Sequence, residues 1–131
     1  MKSLRVLIVD DVAADIESSA AMLREEGHQV LSTNDGNKCL KVAEIEQPDV
    51  ILMDLVMPDV NGFQATRELG KNESTSHIPV IVVSRKDEQI DRVWAMKQGA
   101  RYYLTKGFKK TDLLKALDAV LDGAGQAEAA D

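Results

Sequence analysis

This 131-residue sequence predicts a doubly wound α/β fold, with one five-stranded parallel sheet between two layers of helices. Three observations predict it. Short unbroken runs of aliphatic and β-branched residues, Val6-Leu7-Ile8-Val9 and Val50-Ile51-Leu52-Met53 above all, read as strands buried on both faces. Strand and helix patterns alternate five times, which implies βαβ units, right-handed crossovers and hence parallel pairing. Finally, Asp10, Asp11 and Asp54 each follow such a run, at the strand edge where open α/β sheets hold their ligands.

The first strand is placed at residues 5–9, stopped by the acids at 10 and 11, and the first helix at 13–26, ended by Gly27. A second strand at 29–34 leads to a second helix at 37–46, and Pro48 stands just ahead of the third strand at 50–53. The third helix, 62–69, is closed by Gly70; Pro79 introduces the fourth strand at 80–84. The fourth helix, 88–98, stops at Gly99, and Trp94, one residue past Val93, reads as one of its packing residues. After a fifth strand at 101–105 comes the clearest helix, 111–122, where Leu113, Leu114, Leu117, Val120 and Leu121 form one stripe. Thr111 is its expected N-cap and Gly123 its expected stop. Residues 1–122 thus make one domain, and 123–131, without periodicity, a flexible tail.

Composition narrows the function. Net charge is −6, from 22 acids against 16 bases, so the electrostatic footprint of nucleic-acid binding is lacking. The single cysteine, Cys39, excludes an internal disulfide, fits a reducing compartment and is expected to be a buried, inert thiol. No apolar run approaches the ~20 residues a membrane-spanning helix needs, and Arg5 interrupts the N-terminal one, so a cytoplasmic protein is expected. His28 and His77 stand apart with no acid at ligand spacing, which argues against zinc.

A strand order of 2-1-3-4-5, the flavodoxin-like arrangement, sets the first and third strands side by side at the switch point. Asp10, Asp11 and Asp54 then share one crevice, with Ser84 and Lys106 at the ends of the fourth and fifth strands on the same edge. Like charges ~4 Å apart repel by ~4 kcal/mol at an effective dielectric near 20, so a cation belongs there. Mg²⁺, with direct ligands from Asp11 and Asp54 and a water-mediated one from Asp10, suits the oxygen donors. A carboxylate nucleophile, a hard-cation site, a hydroxyl and an ammonium are the parts needed to move a phosphoryl group. Plainer roles exist for each: helix capping for Asp10 and Asp11, a solvated loop acid for Asp54, a surface lysine, a strand-end hydroxyl, and for Tyr103 an ordinary strand aromatic.

Residues 4–122 resemble the two-component response-regulator receiver domains, the CheY-like family. The resemblance rests on Asp10-Asp11, on Leu52-Met53-Asp54-Leu55-Val56-Met57-Pro58, and on Asn61-Gly62, Ser84, Gly99-Ala100, Tyr103 and Lys106, all in register. It implies that Asp54 accepts a phosphoryl group from a histidine kinase, that Asp11, Asp54 and the Val56 carbonyl hold Mg²⁺, and that Lys106 and Ser84 each bind a phosphoryl oxygen. It also implies that Tyr103 is a switch aromatic, turning inward as Ser84 moves and repacking the target-binding face made by the fourth helix, fifth strand and fifth helix. The segments Gly62-Phe63-Gln64-Ala65-Thr66-Arg67, Asp91-Arg92-Val93-Trp94 and Gln98-Gly99-Ala100-Arg101 further resemble the PilH-type regulators of twitching motility. That implies a single-domain regulator served by a CheA-like kinase and acting by protein–protein contact, in type IV pilus or chemotaxis control, or as a phosphate sink for another regulator.

One position departs from the family pattern. Gly107 follows the lysine where receivers carry a cis-proline, and a cis bond without proline costs ~2.5–4 kcal/mol, so a trans Lys106–Gly107 bond is expected. This leaves the reach of Lys106 open. Two competing classes remain: a phosphorylation-independent adaptor, for which Gly107 is the sole support, and a flavodoxin-like redox carrier. The latter needs a phosphate-cradling loop where this chain has Asp10-Asp11-Val12, whose charge would repel a flavin phosphate.

Overall fold

The computed structural model describes residues 3–57, 61–86 and 88–121. Its elements are β1 (Arg5–Val9), α1 (Ala13–Glu25), β2 (Gln29–Thr33), α2 (Cys39–Glu46, after a short 3₁₀ turn), β3 (Val50–Asp54), α3 (Gly62–Lys71), β4 (Val80–Ser84), α4 (Gln89–Lys97), β5 (Tyr102–Thr105) and α5 (Lys110–Leu121). The five strands form one parallel sheet in the order β2-β1-β3-β4-β5. Strands β1 and β3 pair from Val6↔Val50 to Val9↔Met53, so the residues just past the last pair, Asp10 and Asp54, emerge at one edge.

Alternation along the strands splits the core in two. Leu7, Val9, Ile51, Met53, Val80, Val82 and Tyr103 face α2, α3 and α4, where Cys39, Ala43, Ala65, Leu69 and Ala95 close the layer. Val6, Ile8, Val50, Leu52, Ile81, Val83 and Leu104 face α1 and α5, meeting Leu23, Leu113, Ala116, Leu117 and Val120. The predicted stripe of α5 packs as expected, with Leu114 and Leu121 half-buried at its margins. Cys39 is buried, and burial pushes its thiol up to about 12, which keeps it protonated and inert.

Several expectations are corrected. Thr111 does not cap α5: the helix begins at Lys110, and the Asp112 carboxylate turns back to accept from the Lys109 N–H at 2.9 Å. Gly70 does not end α3, which runs on to Lys71, whereas Gly27 and Gly99 do follow their helices with positive φ. Trp94 is not a packing residue. It is 51% exposed, and Ile90 and Val93 on the same helix are exposed too, because Ala95 and Met96 take the sheet-facing side of α4. A step of one residue turns a helix by about 100°, enough to carry Trp94 out to solvent. His28, in its turn, is buried, its Nδ1 accepting from the Leu4 N–H at 3.1 Å. Gly123 and the expected tail at 123–131 lie outside the described residues.

Candidate functional site

The crevice is built where β1 and β3 end. Val6–Val9 and Val50–Met53 are wholly apolar, so the polar side chains that come next, Asp10 and Asp54, are delivered to the sheet edge. Asp10 and Asp54 are buried, each about 5% exposed, while Asp11 is exposed. Carboxylate oxygens from the three lie within 4.8 Å of one another. Neither Asp10 nor Asp11 caps α1, since no side chain does. Asp10 Oδ1 instead accepts from the Val12 N–H at 2.9 Å, which leaves its other oxygen aimed across the crevice.

Lys106 supplies the opposing charge. Its Nζ stands 3.0 Å from Asp10 Oδ2, 3.4 Å from Asp54 Oδ1 and 2.8 Å from Asp15 Oδ2. The Lys106–Gly107 bond is trans, and no cis peptide occurs among the described residues. Gly107 has φ +96°, a left-handed conformation open to glycine and closed to proline, whose ring holds φ near about −65°. The trans bond and glycine's freedom together turn the chain so that Lys106 still reaches all three acids.

Ser84 is buried at the end of β4, with Oγ accepting from the Lys86 N–H at 3.1 Å. Tyr103, two strands' width from Asp54, is already fully buried, and its hydroxyl donates to the Lys86 carbonyl at 2.7 Å. The Arg92 guanidinium lies 5.0 Å from its ring centroid. Val56 is 60% exposed on the rim, bridged to Asn61. Asn61 in turn caps α3, its Oδ1 accepting from the Phe63 N–H at 2.8 Å, and Gly62 N–H donates to the Leu55 carbonyl, seating the helix against the end of β3.

Electrostatics single out Asp54. Burial, followed by the Asp10 charge, pushes its carboxyl up to about 6, and Lys106 only partly offsets this. Burial also pulls the Lys106 ammonium down, but hydrogen bonds to Asp15 and Asp10 outweigh it and the group stays above its ordinary value. Three crowded carboxylates facing one ammonium leave net negative charge, and an all-oxygen donor set of this kind fits a hard divalent cation.

Sequence reasoning brought Asp10, Asp11, Asp54, Ser84 and Lys106 to one edge, and so they are. It missed Asp15 and Arg85. Asp15 lies in the first turn of α1, where an acid reads as ordinary dipole compensation. Nothing in its spacing signals the ammonium 91 residues away.

Fold and site together define a signalling module of the CheY-like α/β class, an acidic crevice at the switch point of a five-stranded sheet. The chain belongs to the response regulator receiver domain family, whose model matches residues 6–118. It is 52% identical over 119 residues to the protein PilH of Pseudomonas aeruginosa, covering 91% of this chain and 98% of that one. It is 35% identical to the response regulator PleD of Caulobacter vibrioides over 97% of its own length but only 29% of PleD. Among solved structures, the chemotaxis protein CheY4 of Vibrio cholerae superposes with a TM-score of 0.85 at 27% identity, over 92% of this chain and all of CheY4. The receiver domain of a Pseudomonas aeruginosa sensor histidine kinase, with magnesium coordinated in its active-site cleft, gives 0.81 at 32% identity, over 89% of this chain and 96% of that domain.

Proposed function

We propose that this response regulator is switched by phosphorylation of Asp54. The observation that carries the reading is the convergence of Asp10, Asp11, Asp54 and Lys106 Nζ in one crevice, with Asp54 bearing the strained charge. One Asp54 oxygen attacks the phosphorus of a histidine kinase's phosphohistidine. The P–N bond breaks, and its electron pair leaves with the imidazole nitrogen, which takes up a proton. Lys106 and the Ser84 hydroxyl hold two of the transferred oxygens. Asp11, Asp54 and the Val56 carbonyl would hold Mg²⁺ directly and Asp10 through water, and the ion supplies offset for the charge on the phosphoryl oxygens. The only chemistry in this reading is the chain's own phosphorylation and dephosphorylation.

The test is incubation with acetyl phosphate and Mg²⁺ followed by intact mass. Wild type is expected to gain one phosphoryl mass and Asp54→Asn none. No gain in wild type, or equal gain in both, would overturn the reading.

Val56 sets a second expectation. Water attacking the phosphoryl group must pass this rim, and an exposed isopropyl group offers it no hydrogen bond. The phosphoryl group is therefore expected to outlast a few seconds after donor removal, and Val56→Asn, which can orient water, to shorten its life ~3–10-fold. Decay of the wild type within a few seconds would count against this.

The likeness to PilH supports a CheA-like kinase as donor and a role in twitching motility. For the downstream target, the α4–β5–α5 side is favoured. It carries the exposed Ile90, Val93 and Trp94 and a cleft of about 430 Å³ whose lining includes Arg92, Thr105, Phe108 and Lys115. Tyr103 lies under the Arg92 guanidinium of α4 and is hydrogen-bonded to the loop that follows Ser84, and so can relay the state of the crevice to this face. Among the described residues no helix is long and apolar enough to cross a membrane. We place the protein in the cytoplasm, where histidine kinases can phosphorylate it.

A further inference from the structure

Asp15 and Arg85 have no part in the transfer just described, yet they are fastened to the groups that perform it. Arg85 immediately follows Ser84 and grips Asp15 with both guanidinium nitrogens, Nη1 at 3.1 Å from Oδ2 and Nη2 at 3.3 Å from Oδ1. The same Oδ2 accepts from Lys106 Nζ at 2.8 Å, the shortest of the three distances that the ammonium makes to carboxylates. An ammonium has three N–H donors, and here Asp10, Asp54 and Asp15 each face it. The Lys106 hydrogen bond, with Arg85 adding to it, holds the Asp15 carboxyl below its ordinary range despite some burial.

The two halves of this cluster differ in weight. The Arg85 side chain is 67% exposed, so its fork on Asp15 is solvated and contributes little alone. The Lys106 side chain is 10% exposed, and its bonds are made in a low-dielectric crevice where they count for more. Resting Lys106 is thus held hardest by an acid that is not the proposed acceptor.

We infer that Asp15 is an internal counter-anion that competes with the phosphoryl group for Lys106 and, through Arg85, ties the start of the β4–α4 connection to α1. The inference rests on Asp54 being the acceptor. Once Asp54 carries phosphate, the ammonium is drawn toward a phosphoryl oxygen and away from Asp15, its shortest partner at 2.8 Å, and Ser84 follows as the adjacent Arg85 loosens its fork. Asp15 therefore holds back phosphoryl gain by setting the resting position of Lys106, which makes it a positioning residue for that ammonium.

The experiment is the rate of phosphoryl gain from acetyl phosphate with Mg²⁺, read by intact mass, for wild type, Asp15→Asn, Asp15→Glu and Arg85→Gln, each checked for folding by thermal melting. Asp15→Asn is expected to speed the gain by about threefold to tenfold, the size of a lost charge-assisted bond in a partly buried site. Asp15→Glu keeps the charge and is expected to stay within about twofold of wild type, while Arg85→Gln frees only the tether and gives about a twofold rise. An unchanged or slower Asp15→Asn overturns the inference, as does an equal acceleration in Asp15→Glu, which would show that shape and not charge matters. A slower Arg85→Gln overturns the tether. If wild type gains no phosphoryl group at all, it is the reading of Asp54 that fails. Normal gain in wild type with no change in Asp15→Asn sinks only the counter-anion.

Discussion

Asp54→Asn is expected to make the metal-free protein more stable at neutral pH, by about 1–3 kcal/mol. The sign follows from linkage. Asp54 has a folded pKa of about 6 against an ordinary value of 3.8, first because it is buried and next because Asp10 is beside it. Between those two values the folded state holds the proton more often than the unfolded state does. Stability from this group is therefore greatest in acid, declines as pH rises through roughly 4 to 6 and stays low above. The full gap between the two pKa values corresponds to about 3 kcal/mol, and the loss of the Lys106 pairing in the variant reduces the gain. Urea unfolding in chelator-containing buffer checks this: the variant should exceed wild type at pH 7 and converge on it near pH 4. A variant less stable than wild type at pH 7 would contradict it. Adding Mg²⁺ should narrow the difference at pH 7, because a cation bound to the folded wild type alone stabilises it by mass action.

Gly62→Ala is expected to destabilise the fold by about 2–4 kcal/mol, although alanine is intrinsically the better helix former by ~1 kcal/mol. A Cβ at this position would sit 2.6 Å from Leu55 Cα and closer still to the Asp54 carbonyl oxygen. Both are backbone atoms, so no side-chain rotation relieves the clash, and the first turn of α3 must back away from the end of β3. That shift moves the backbone of Asp54 itself, so phosphoryl gain should slow together with the loss of stability. Gly70 in the same helix provides the control. Nothing lies within 4 Å of a Cβ built there, and Gly70→Ala is expected to stabilise by about 0.5–1 kcal/mol. Denaturant midpoints of the two variants should move in opposite directions. Equal effects would mean that packing against β3 is not what requires glycine at 62.

The regular parts of the molecule were legible because their signals are local. Apolar runs of four or five residues mark strands whatever surrounds them, and β1 and β4 span the expected 5–9 and 80–84. Ends of helices were less legible. Asp112 turning back to Lys109 competes with Thr111 for the start of α5, and both carry plausible capping side chains. Gly70 is a helix-stop residue by propensity, but α3 gains further backbone hydrogen bonding by running on to Lys71, with Asn72 N–H reaching the Glu68 carbonyl. Trp94 shows the limit of hydrophobicity alone. Small Ala95 fits under α4 against the sheet where indole would not, so the large residue is the one left outside.

Of the site, the chain order alone determined which residues are candidates: acids placed straight after buried strands, a hydroxyl and a lysine after two others. A strand's C-terminal end has one location in a parallel sheet, so position along the chain translates into position in space. Tertiary structure alone decided how far Lys106 reaches past a trans Gly107, that Tyr103 already lies inward, and that Asp15 and Arg85 join the crevice. These depend on how α1 and the β4–α4 connection lie against β5. That juxtaposition is set by packing between segments tens of residues apart, and no local pattern encodes it.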